Sequence, residues 1–563
     1  MSDMSRGGFD RAQPASLQDL ADVNQALSAE NARDPIGIVL EVSGAGSQIA
    51  IDLQRLTECS ADPDPSISLA GQVGSQVKIR VGNSWLLASV RNQKQDAKTP
   101  GGILAAVDFL GEGEEERLTG RIHSFRRGVT RYPVPGALIY PATGKDLKQI
   151  YASDGRSSIQ VGMVYPTRDI RAGIYVDALL GKHFALLGST GTGKSTTAAL
   201  ILHRICEAAP EGHIIMIDPH GEYSSAFRST GVIYDVSNLQ MPYWLMNFEE
   251  HCEILLNSSG VDRQEDMDIL SRCLLQARMK NRLSEQLGKI TVDAPIPYML
   301  SDLAAILQNE MGKLDKSSST APFMRIKTKI EELKGDPRYQ FMFSGMLVAD
   351  TMHDFISKIF RMPAQGKPIS IIDVSGVPSE ITTTVVAVLS RLVFDFAIWA
   401  REEKTRPVLL VCEEAHRYVP NEKNADGSSV GTILSRIAKE GRKYGISLGL
   451  ITQRPSDLAE GVLSQCGTII SMRLNNERDQ AFVKAAMPEG ARGFLDSIPA
   501  LRNRECIICG EGVAIPIRVS FDELEEFKRP ASEDPSFTKL WSGGGGEEDM
   551  VQRTVHRWRA HGR

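Results

Sequence analysis

One stretch of the chain has the residue types and spacing of a phosphate-binding loop. Gly188-Ser-Thr-Gly-Thr-Gly-Lys194-Ser195 fits the pattern G-x-x-x-x-G-K-[ST] without a mismatch and lies between an apolar strand and a helix start. Consecutive N–H groups and the helix N-terminus of such a loop face an anion, while the lysine reaches the β- and γ-phosphates and the serine binds magnesium. The predicted contacts of this nucleotide and Mg²⁺ site are Gly188, Thr190, Gly191, Thr192, Gly193, Lys194, Ser195 and Thr196.

Two adjacent carboxylates supply the second anchor that a nucleotide site needs. Glu413 and Glu414 follow the apolar strand Val408–Cys412. We predict that Glu413 holds magnesium through water and that Glu414 orients or deprotonates the attacking water. An acidic residue at the second position indicates hydrolysis, because a kinase would place a substrate hydroxyl there. The alternative is that both carboxylates are solvated or cap a helix.

Two further strands end in polar residues that could join this site. Asp218 follows Ile215–Ile217, and Gln453 follows the strand that ends at Thr452. The carboxyl ends of parallel strands form the edge where ligands bind, so we expect both side chains to serve catalysis. The Gln453 amide could contact the γ-phosphate or the water. Each residue alone also fits a structural role as a strand cap, but four strands with polar ends at one edge favour a site.

The elements that would position these residues are strands that alternate with long helical periods from about residue 160 onward. This alternation is typical of an α/β domain with a parallel sheet. Residues from about 245 to 362 are mainly helical and form an insertion. The predicted strands are His183–Leu187, His213–Asp218, Ser370–Asp373, Val408–Cys412, Ser447–Thr452 and Thr468–Arg473; the predicted helices include Thr196–Ala208, Asp262–Leu287, Met324–Lys334 and one that begins near Ser379.

Short strands with turn punctuation predict a small β-barrel before the α/β pattern. Its strands are expected at Gly37–Val42, Gln48–Leu53, Val77–Val81, Ser84–Val90, Ile103–Leu110 and Arg121–Phe125, with an acidic turn at Glu112–Glu116. The basic pair Arg126-Arg127 is interpreted as solvated surface in preference to a DNA or partner contact. The predicted division is a flexible N-terminus at 1–34, the barrel at 35–145, the α/β domain with its insertion at 146–530, and a tail at 531–563 that ends in the helix Val551–Arg559.

Composition limits the possible partners and compartments of the chain. Of 563 residues, 64 are Lys or Arg and 70 are Asp or Glu, so the net charge is −6 and any DNA site must be a local lining. The N-terminus lacks the apolar core of a signal peptide. Arg391 and Asp395 interrupt the most apolar segment, Ile381–Ala400, which predicts a buried helix and no membrane span. Scattered cysteines, with Cys506 and Cys509 interpreted as buried thiols, favour a cytoplasmic protein.

Taken together, these motifs resemble those of the HerA family of hexameric DNA translocases, within the group that includes the FtsK pumps. The resemblance covers about residues 35–540. At the first acidic position this chain has Glu413 where many relatives of these motors have Asp. The matching segments are the phosphate loop, Asp218-Pro-His-Gly-Glu-Tyr, Ile372-Asp-Val-Ser-Gly-Val-Pro378, Leu410-Val-Cys-Glu-Glu-Ala-His416, Glu440-Gly-Arg442-Lys-Tyr-Gly445, Thr452-Gln-Arg-Pro455 and Ser471-Met-Arg-Leu-Asn-Asn476.

The resemblance implies a homohexameric ring of RecA-like P-loop ATPase domains that passes double-stranded DNA through its pore. ATP would be hydrolysed with Mg²⁺ at subunit interfaces, where an arginine of the neighbour stabilises the transferred phosphoryl group. By motif position Arg442 is the first candidate and Arg436 the second, and Lys182 matches another basic position that could reach phosphate. DNA-contacting lysines could lie at 421–431, with Lys423, or at 313–327; solvent-facing lysines are the simpler interpretation of both segments.

Relatives in this family also imply a partner and a second hypothesis. They work with a nuclease resembling NurA or with a sirtuin-like, NAD-consuming effector in antiviral defence, and the N-terminal barrel is the expected docking site. The leading hypothesis is an ATP-driven DNA translocase or helicase. The alternative is a scaffold ring whose nucleotide controls assembly with the effector. A secretion or conjugation ATPase often needs a membrane anchor, and a GTPase is disfavoured because no Asn-Lys-x-Asp motif occurs.

Overall fold

Six strands close into a small barrel in the N-terminal part of the protein. The computed structural model describes residues 34–96, 102–115, 122–151, 155–167, 169–256, 263–314, 319–345, 347–421, 428–487, 492–531, 537–542 and 548–559. The barrel strands are β1 (Gly37–Val42), β2 (Gly46–Asp52), β3 (Gln76–Val81), β4 (Ser84–Gln95), β5 (Gly102–Glu115) and β7 (Leu138–Pro141), and β6 (Ile122–Arg127) pairs with β5 outside the ring. Because β2 pairs with both β1 and β5, the sheet closes on itself and has no free edge within the ring.

Strand β5 runs further than the sequence indicated. Glu112 stands opposite Arg126 and Glu114 opposite His123 across the β5–β6 pair. The Glu112 carboxylate also accepts a hydrogen bond from the Thr130 backbone N–H at 3.0 Å. The acidic turn expected at Glu112–Glu116 is therefore wrong for the described residues, because these residues pair with β6 across the sheet and the Glu112 carboxylate is hydrogen-bonded to Thr130.

The barrel packs directly against the rest of the protein. Trp85 and Leu87 of β4 belong to the same hydrophobic core as the larger sheet. The Asp108 carboxylate accepts a hydrogen bond from the Gly493 N–H at 2.9 Å. Arg127 is exposed, as expected of solvated surface, and also donates its guanidinium N–H to the Gly510 carbonyl at 3.1 Å. These contacts fix the barrel against the α/β part.

An eleven-stranded sheet forms the α/β part. Its strands are β8 (Ser158–Val164), β9 (Arg171–Tyr175), β10 (Phe184–Leu187), β11 (Ile214–Asp218), β12 (Gly231–Tyr234), β13 (Ile369–Asp373), β14 (Val408–Cys412), β15 (Ile446–Thr452), β16 (Thr468–Met472), β17 (Glu505–Gly510) and β18 (Ile517–Phe521). The order is β12-β13-β11-β14-β15-β10-β16-β17-β18-β8-β9. The strands from β12 to β16 in this order are parallel, as predicted, and the antiparallel strands from β17 to β9 extend them. Every residue of β11 and β14 is buried, which is typical of parallel strands covered on both faces.

Helices connect these strands and build the insertion. Those outside the insertion are α1 (Leu53–Cys59), α2 (Pro65–Ser68), α3 (Gly144–Tyr151), α4 (Val176–Gly181), α5 (Lys194–Ala208), α13 (Ser379–Trp399), α14 (Ser429–Glu440), α15 (Glu460–Leu463), α16 (Glu477–Ala486), α17 (Arg492–Leu495), α18 (Phe537–Ser542) and α19 (Glu548–Arg559). The insertion contains α6 (Phe248–Leu255), α7 (Arg263–Met279), α8 (Arg282–Leu287), α9 (Leu300–Gly312), α10 (Ala321–Gly335), α11 (Gln340–Phe343) and α12 (Met352–Ile359). The helical stretch expected at Asp262–Leu287 divides in two, because the Asn281 side chain accepts the Leu283 N–H at 2.9 Å and caps a new helix.

Buried polar contacts join the insertion to the α/β core. Arg391 on α13 forms an ion pair with Glu250 on α6 at 2.8 Å, and Glu250 is almost fully buried. Glu253, also on α6, accepts the Ser429 N–H at 2.7 Å at the start of α14. A carboxylate at a helix N-terminus stabilises the unpaired N–H groups there. The insertion therefore holds the first turn of α14 in place.

One helical segment of the described chain, Ser379–Glu402, is long and apolar enough to cross a membrane by length and composition alone. Of its most apolar window, 61% is buried inside the protein. Arg391, in the middle of this segment, is paired with Glu250. The segment packs as the buried helix that the sequence predicted.

Candidate active site

Four neighbouring parallel strands bring the predicted site residues to one edge of the sheet. The strands β11, β14, β15 and β10 lie side by side in that order. Asp218 ends β11, the pair Glu413 and Glu414 follows β14, Gln453 follows β15, and the phosphate loop follows β10. Parallel strands share the direction of their carboxyl ends, so all four groups meet at the edge where ligands bind.

The phosphate loop has the backbone conformation that its glycines permit. Gly191 and Gly193 have φ values of +76° and +92°, which side chains other than glycine rarely adopt. Gly193 directly precedes α5, whose first residue is Lys194. The Thr192 hydroxyl donates to the Ser189 carbonyl at 2.7 Å and stabilises the turn. The loop thus presents a helix N-terminus, the arrangement that binds phosphate groups.

Lys194 lies between the two carboxylates. Its Nζ is 3.8 Å from Glu413 Oε1 and 3.7 Å from Glu414 Oε1. The three side chains are buried, with exposed fractions of 8% for Lys194, 1% for Glu413 and 5% for Glu414. Charges this deeply buried require opposite charges beside them, and phosphate oxygens would be equivalent partners for the ammonium.

Tyr223 connects the two predicted magnesium ligands. Its hydroxyl donates a hydrogen bond to Glu413 Oε1 at 3.0 Å, and the Ser195 side chain lies near enough to lower the Tyr223 pKa against the larger effect of burial. Burial raises the pKa of Glu413 from 4.5 to about 8, reinforced by the charges of Asp218 and Glu222 and opposed by Lys194. Glu413 Oε2 is buried and has no hydrogen-bond partner among the described residues. A carboxylate that is costly to ionise and has an unused oxygen fits a divalent cation.

Asp218 faces its own loop and not the space between Lys194 and the glutamates. One carboxylate oxygen accepts the N–H groups of His220 and Gly221 at 3.1 and 2.9 Å, and the other accepts the Tyr223 N–H at 2.9 Å. Burial raises the pKa of Asp218, and these N–H donors oppose the shift. The structure therefore places Asp218 where it fixes Tyr223, and the expected direct role of Asp218 in catalysis is not what the contacts favour.

The ends of β14 and β15 are joined to the phosphate loop through short polar contacts. Gln453 Oε1 accepts a hydrogen bond from the Thr190 hydroxyl at 2.5 Å. His416 Nδ1 lies 3.0 Å from the Thr452 hydroxyl oxygen and 3.2 Å from Glu414 Oε2. His416 and Tyr223 lie within motifs recognised in the sequence, but no role was predicted for either residue. Each is three to five residues beyond a strand end, a position that could have marked them as candidates.

The two candidate arginines lie away from the phosphate loop of their own chain. Arg442 lies in the turn before β15. This region also contacts the start of β10, because His183, just before β10, hydrogen-bonds the Ala438 carbonyl at 3.0 Å. Arg442 is therefore at the amino edge of the sheet, whereas the phosphate loop lies at the carboxyl edge. The two edges are separated by the length of β15, about 20 Å. Arg436 is 4.6 Å from the Phe394 ring centre and pairs with Glu440.

Other basic candidates lie outside the site. Lys182 is at the amino edge and pairs with Glu511, so it does not reach the phosphate loop of its own chain. Lys313 pairs with Glu310 at 2.6 Å, as solvent-facing lysines do. Lys423 and residues 315–318 lie outside the described residues.

Comparisons with known proteins confirm the resemblance that the motifs indicated. Residues 159–393 match the family model described as the central domain of helicase HerA. The DNA double-strand break repair helicase HerA of Pyrococcus furiosus is 25% identical over 486 residues, covering 80% of this chain and 84% of that protein. The probable helicase MJ1565 of Methanocaldococcus jannaschii is 25% identical over 504 residues, covering 86% and 91%. Among solved structures, VirB4 of Thermoanaerobacter pseudethanolicus has a TM-score of 0.48 and 15% identity over 67% of this chain and 99% of that chain.

The raised pKa of Glu413 predicts a stability cost for this carboxylate. Because burial raises its pKa from 4.5 to about 8, its ionisation destabilises the fold increasingly as pH rises between those values. We expect Glu413→Gln to melt at a higher temperature than the parent. The difference in the free energy of unfolding between the two proteins should widen from about pH 5 to about pH 8, where it reaches on the order of a few kcal/mol. The measurement is calorimetric melting of the nucleotide-free protein.

The exposed Glu114 on β5 provides the matched control. Glu114→Gln should leave the melting temperature unchanged over the same pH range. A stability difference between Glu413→Gln and the parent that is constant or narrows as pH rises would contradict the cost assigned to ionisation of Glu413.

Proposed function

Because this chain is a relative of the HerA helicases, we propose that it is an ATP-driven motor that moves double-stranded DNA. The observation that carries the proposal is the Lys194 ammonium within 4 Å of two buried carboxylates at the edge where four parallel strands end. A buried lysine at a helix N-terminus suits a polyphosphate, and a second carboxylate beside it suits the activation of water. These features support ATP hydrolysis as the source of movement.

In this proposal each residue at the edge has a separate task. Lys194 exchanges its carboxylate partners for the β- and γ-phosphates of ATP. Glu414 accepts a proton from the attacking water as the water oxygen bonds to the γ-phosphorus and the bond to the β-phosphate oxygen breaks, which gives ADP and phosphate. Gln453, held by Thr190, lies beside the phosphate loop and would contact the γ-phosphate or this water. Asp218 acts indirectly by fixing Tyr223.

Magnesium is the proposed metal. When bound, it neutralises charge on the β- and γ-phosphates. Ser195 and Glu413 would hold it, because Tyr223 lies beside both side chains and Glu413 Oε2 is free of hydrogen bonds within the described residues.

The proposed active form is a homohexameric ring. Arg442 lies at the amino edge of the sheet and the phosphate loop at the carboxyl edge, so Arg442 can reach a nucleotide only in a neighbouring copy. An arginine supplied in this way stabilises the charge of the transferred phosphoryl group. With a net charge of −6, the chain would contact DNA through a local basic lining inside the ring.

The N-terminal barrel is the proposed docking site for an effector. Ile38 and Leu138 stand side by side on β1 and β7, Leu40 lies two residues further along, and the three are 41–43% exposed. We call these three residues the barrel patch. Adjacent exposed apolar side chains favour a protein contact. The effector would be a nuclease or an NAD-consuming enzyme, in cytoplasmic DNA processing or antiviral defence; this identity rests on the family resemblance. A scaffold ring that only recruits the effector is the alternative.

ATP turnover distinguishes a motor from a scaffold. We expect the parent protein to hydrolyse ATP faster when duplex DNA is added. Lys194→Ala should abolish ATP hydrolysis, because the phosphates lose the ammonium group of Lys194. Glu414→Gln should lower kcat by about 100-fold or more, through loss of the proton acceptor, while ATP binding persists. Phosphate release and ATP binding are measured in parallel, with Glu114→Gln as the control. ATP binding without DNA-dependent turnover in the parent would favour the scaffold.

Mixing of variants tests whether Arg442 acts on a neighbour. Arg442→Ala and Lys194→Ala should each be inactive alone, because every site lacks one of the two groups. In co-expressed, doubly tagged mixtures, about a quarter of the interfaces would combine an intact loop with an intact arginine, and ATPase activity should reappear. Lys194→Ala mixed with Lys194→Ala/Glu414→Gln should stay inactive. Full activity of Arg442→Ala alone would exclude this role.

The barrel patch is tested by co-purification from the native host. The tagged full chain should retain an effector that mass spectrometry identifies as a nuclease or an NAD hydrolase. Ile38→Lys should lose it, because a charge in the patch opposes burial on binding. Met299→Lys, at an equally exposed apolar residue of the insertion, is the control. Retention of the effector by Ile38→Lys would show that it docks elsewhere.

A further inference from the structure

His416 joins the ends of two strands that carry different parts of the candidate site. It lies in the short turn Ala415–Arg417 that follows Glu414, and its side chain is largely buried. Its Nδ1 is 3.2 Å from Glu414 Oε2 at the end of β14 and 3.0 Å from the Thr452 hydroxyl oxygen at the end of β15. One ring nitrogen thus contacts both the residue assigned to activate water and the residue before Gln453.

The partners of this nitrogen determine where its proton lies. An ionised carboxylate only accepts hydrogen bonds, so Nδ1 must carry the hydrogen for the contact with Glu414 to be favourable. The Thr452 oxygen already accepts the Arg454 N–H at 3.0 Å and can also accept from Nδ1. The hydrogen bond of Nδ1 is therefore with the Thr452 oxygen, and Glu414 Oε2, which has no hydrogen-bond partner among the described residues, meets the ring as a close electrostatic contact at 3.2 Å.

Glu414 needs support from its surroundings to keep its position. Its backbone φ is +49°, in the left-handed region that residues other than glycine adopt at a cost. Its Oε1 lies 3.7 Å from Lys194, an ammonium that would turn to phosphate when a nucleotide binds. The contact with His416 does not depend on that exchange, since it uses the other carboxylate oxygen.

We propose that His416 is a positioning residue that keeps Glu414 aimed at the attacking water and ties it to the end of β15. This inference rests on the proposed ATP hydrolysis. Gln453 accepts a hydrogen bond from Thr190 of the phosphate loop, so the polar path runs from Glu414 through His416 and Thr452 to the loop. A shift of the loop on binding or release of the γ-phosphate would be transmitted to the water-activating carboxylate.

Three substitutions of His416 separate positioning from packing. Asparagine places an amide N–H near the position of Nδ1, whereas glutamine places one near Nε2, and alanine places none. We expect His416→Ala and His416→Gln to lower kcat by about tenfold to 100-fold, with KM for ATP within about threefold of the parent. His416→Asn should recover most of the rate. The measurements are steady-state ATPase with duplex DNA, ATP binding and melting temperature.

Substitutions of Thr452 test the contact between His416 and Thr452 without altering His416. Thr452→Val should lower kcat, and Thr452→Ser, which keeps the hydroxyl, should not. The double variant His416→Ala/Thr452→Val should be no slower than His416→Ala alone, because the two residues act on one path. If His416→Ala does not fold, two comparisons still test the positioning role of His416. They are Thr452→Val with Thr452→Ser, and His416→Asn with His416→Gln.

The outcomes distinguish this inference from the function on which it rests. No ATP turnover by the parent would overturn the proposed function itself. An active parent with an unchanged kcat in His416→Ala, or with His416→Asn as slow as His416→Gln, would overturn the positioning role alone. A parallel loss of ATP binding and melting temperature in all three variants would assign His416 to packing.

Discussion

A buried ammonium beside two buried carboxylates is the constraint on which the rest of the site depends. Burial of an isolated charge costs far more than the whole stability of a domain, so Lys194, Glu413 and Glu414 must be held together. One ammonium cannot neutralise two carboxylates, and the pKa of Glu413 is raised to about 8, mainly by burial and further by the nearby charges of Asp218 and Glu222. The polar residues around this cluster reduce that cost by hydrogen bonding.

The surrounding loops are explained by this requirement. The N–H groups that Asp218 accepts belong to the turn that delivers Tyr223, and Tyr223 in turn donates to Glu413. On the other side, His416 contacts both Glu414 and Thr452. The ends of β11, β14 and β10 therefore each contribute a group to the same buried charges, and β15 is joined to them through His416. Glu413 Oε2 and Glu414 Oε2 are nevertheless buried without a hydrogen-bond partner among the described residues, so the polar network around these charges is only partly satisfied.

Much of this arrangement could be predicted from the sequence, because it follows local patterns. The phosphate loop depends on glycines at fixed spacing, and buried parallel strands depend on unbroken apolar runs such as Val408–Cys412. Contacts between distant segments could not be predicted in the same way. Tyr223 and Glu413 are 190 residues apart, and no spacing rule relates them. The strand character of Glu112 was also missed, because its partners, Arg126 across the β5–β6 pair and Thr130 at its carboxylate, lie on a later segment of the chain.

The placement of Arg442 and the phosphate loop at opposite edges of one sheet has a consequence for symmetry. In the proposed ring, a copy that completes its neighbour's site with Arg442 would use a different surface from the one on which it receives the next copy, so the interface would be heterologous. Such contacts either close around a rotation axis or continue as an open helix. An axis of this kind lacks the perpendicular two-folds that would make its two directions equivalent. A duplex lying along it would meet the side chains of every subunit in one fixed order, which gives the assembly a front and a back.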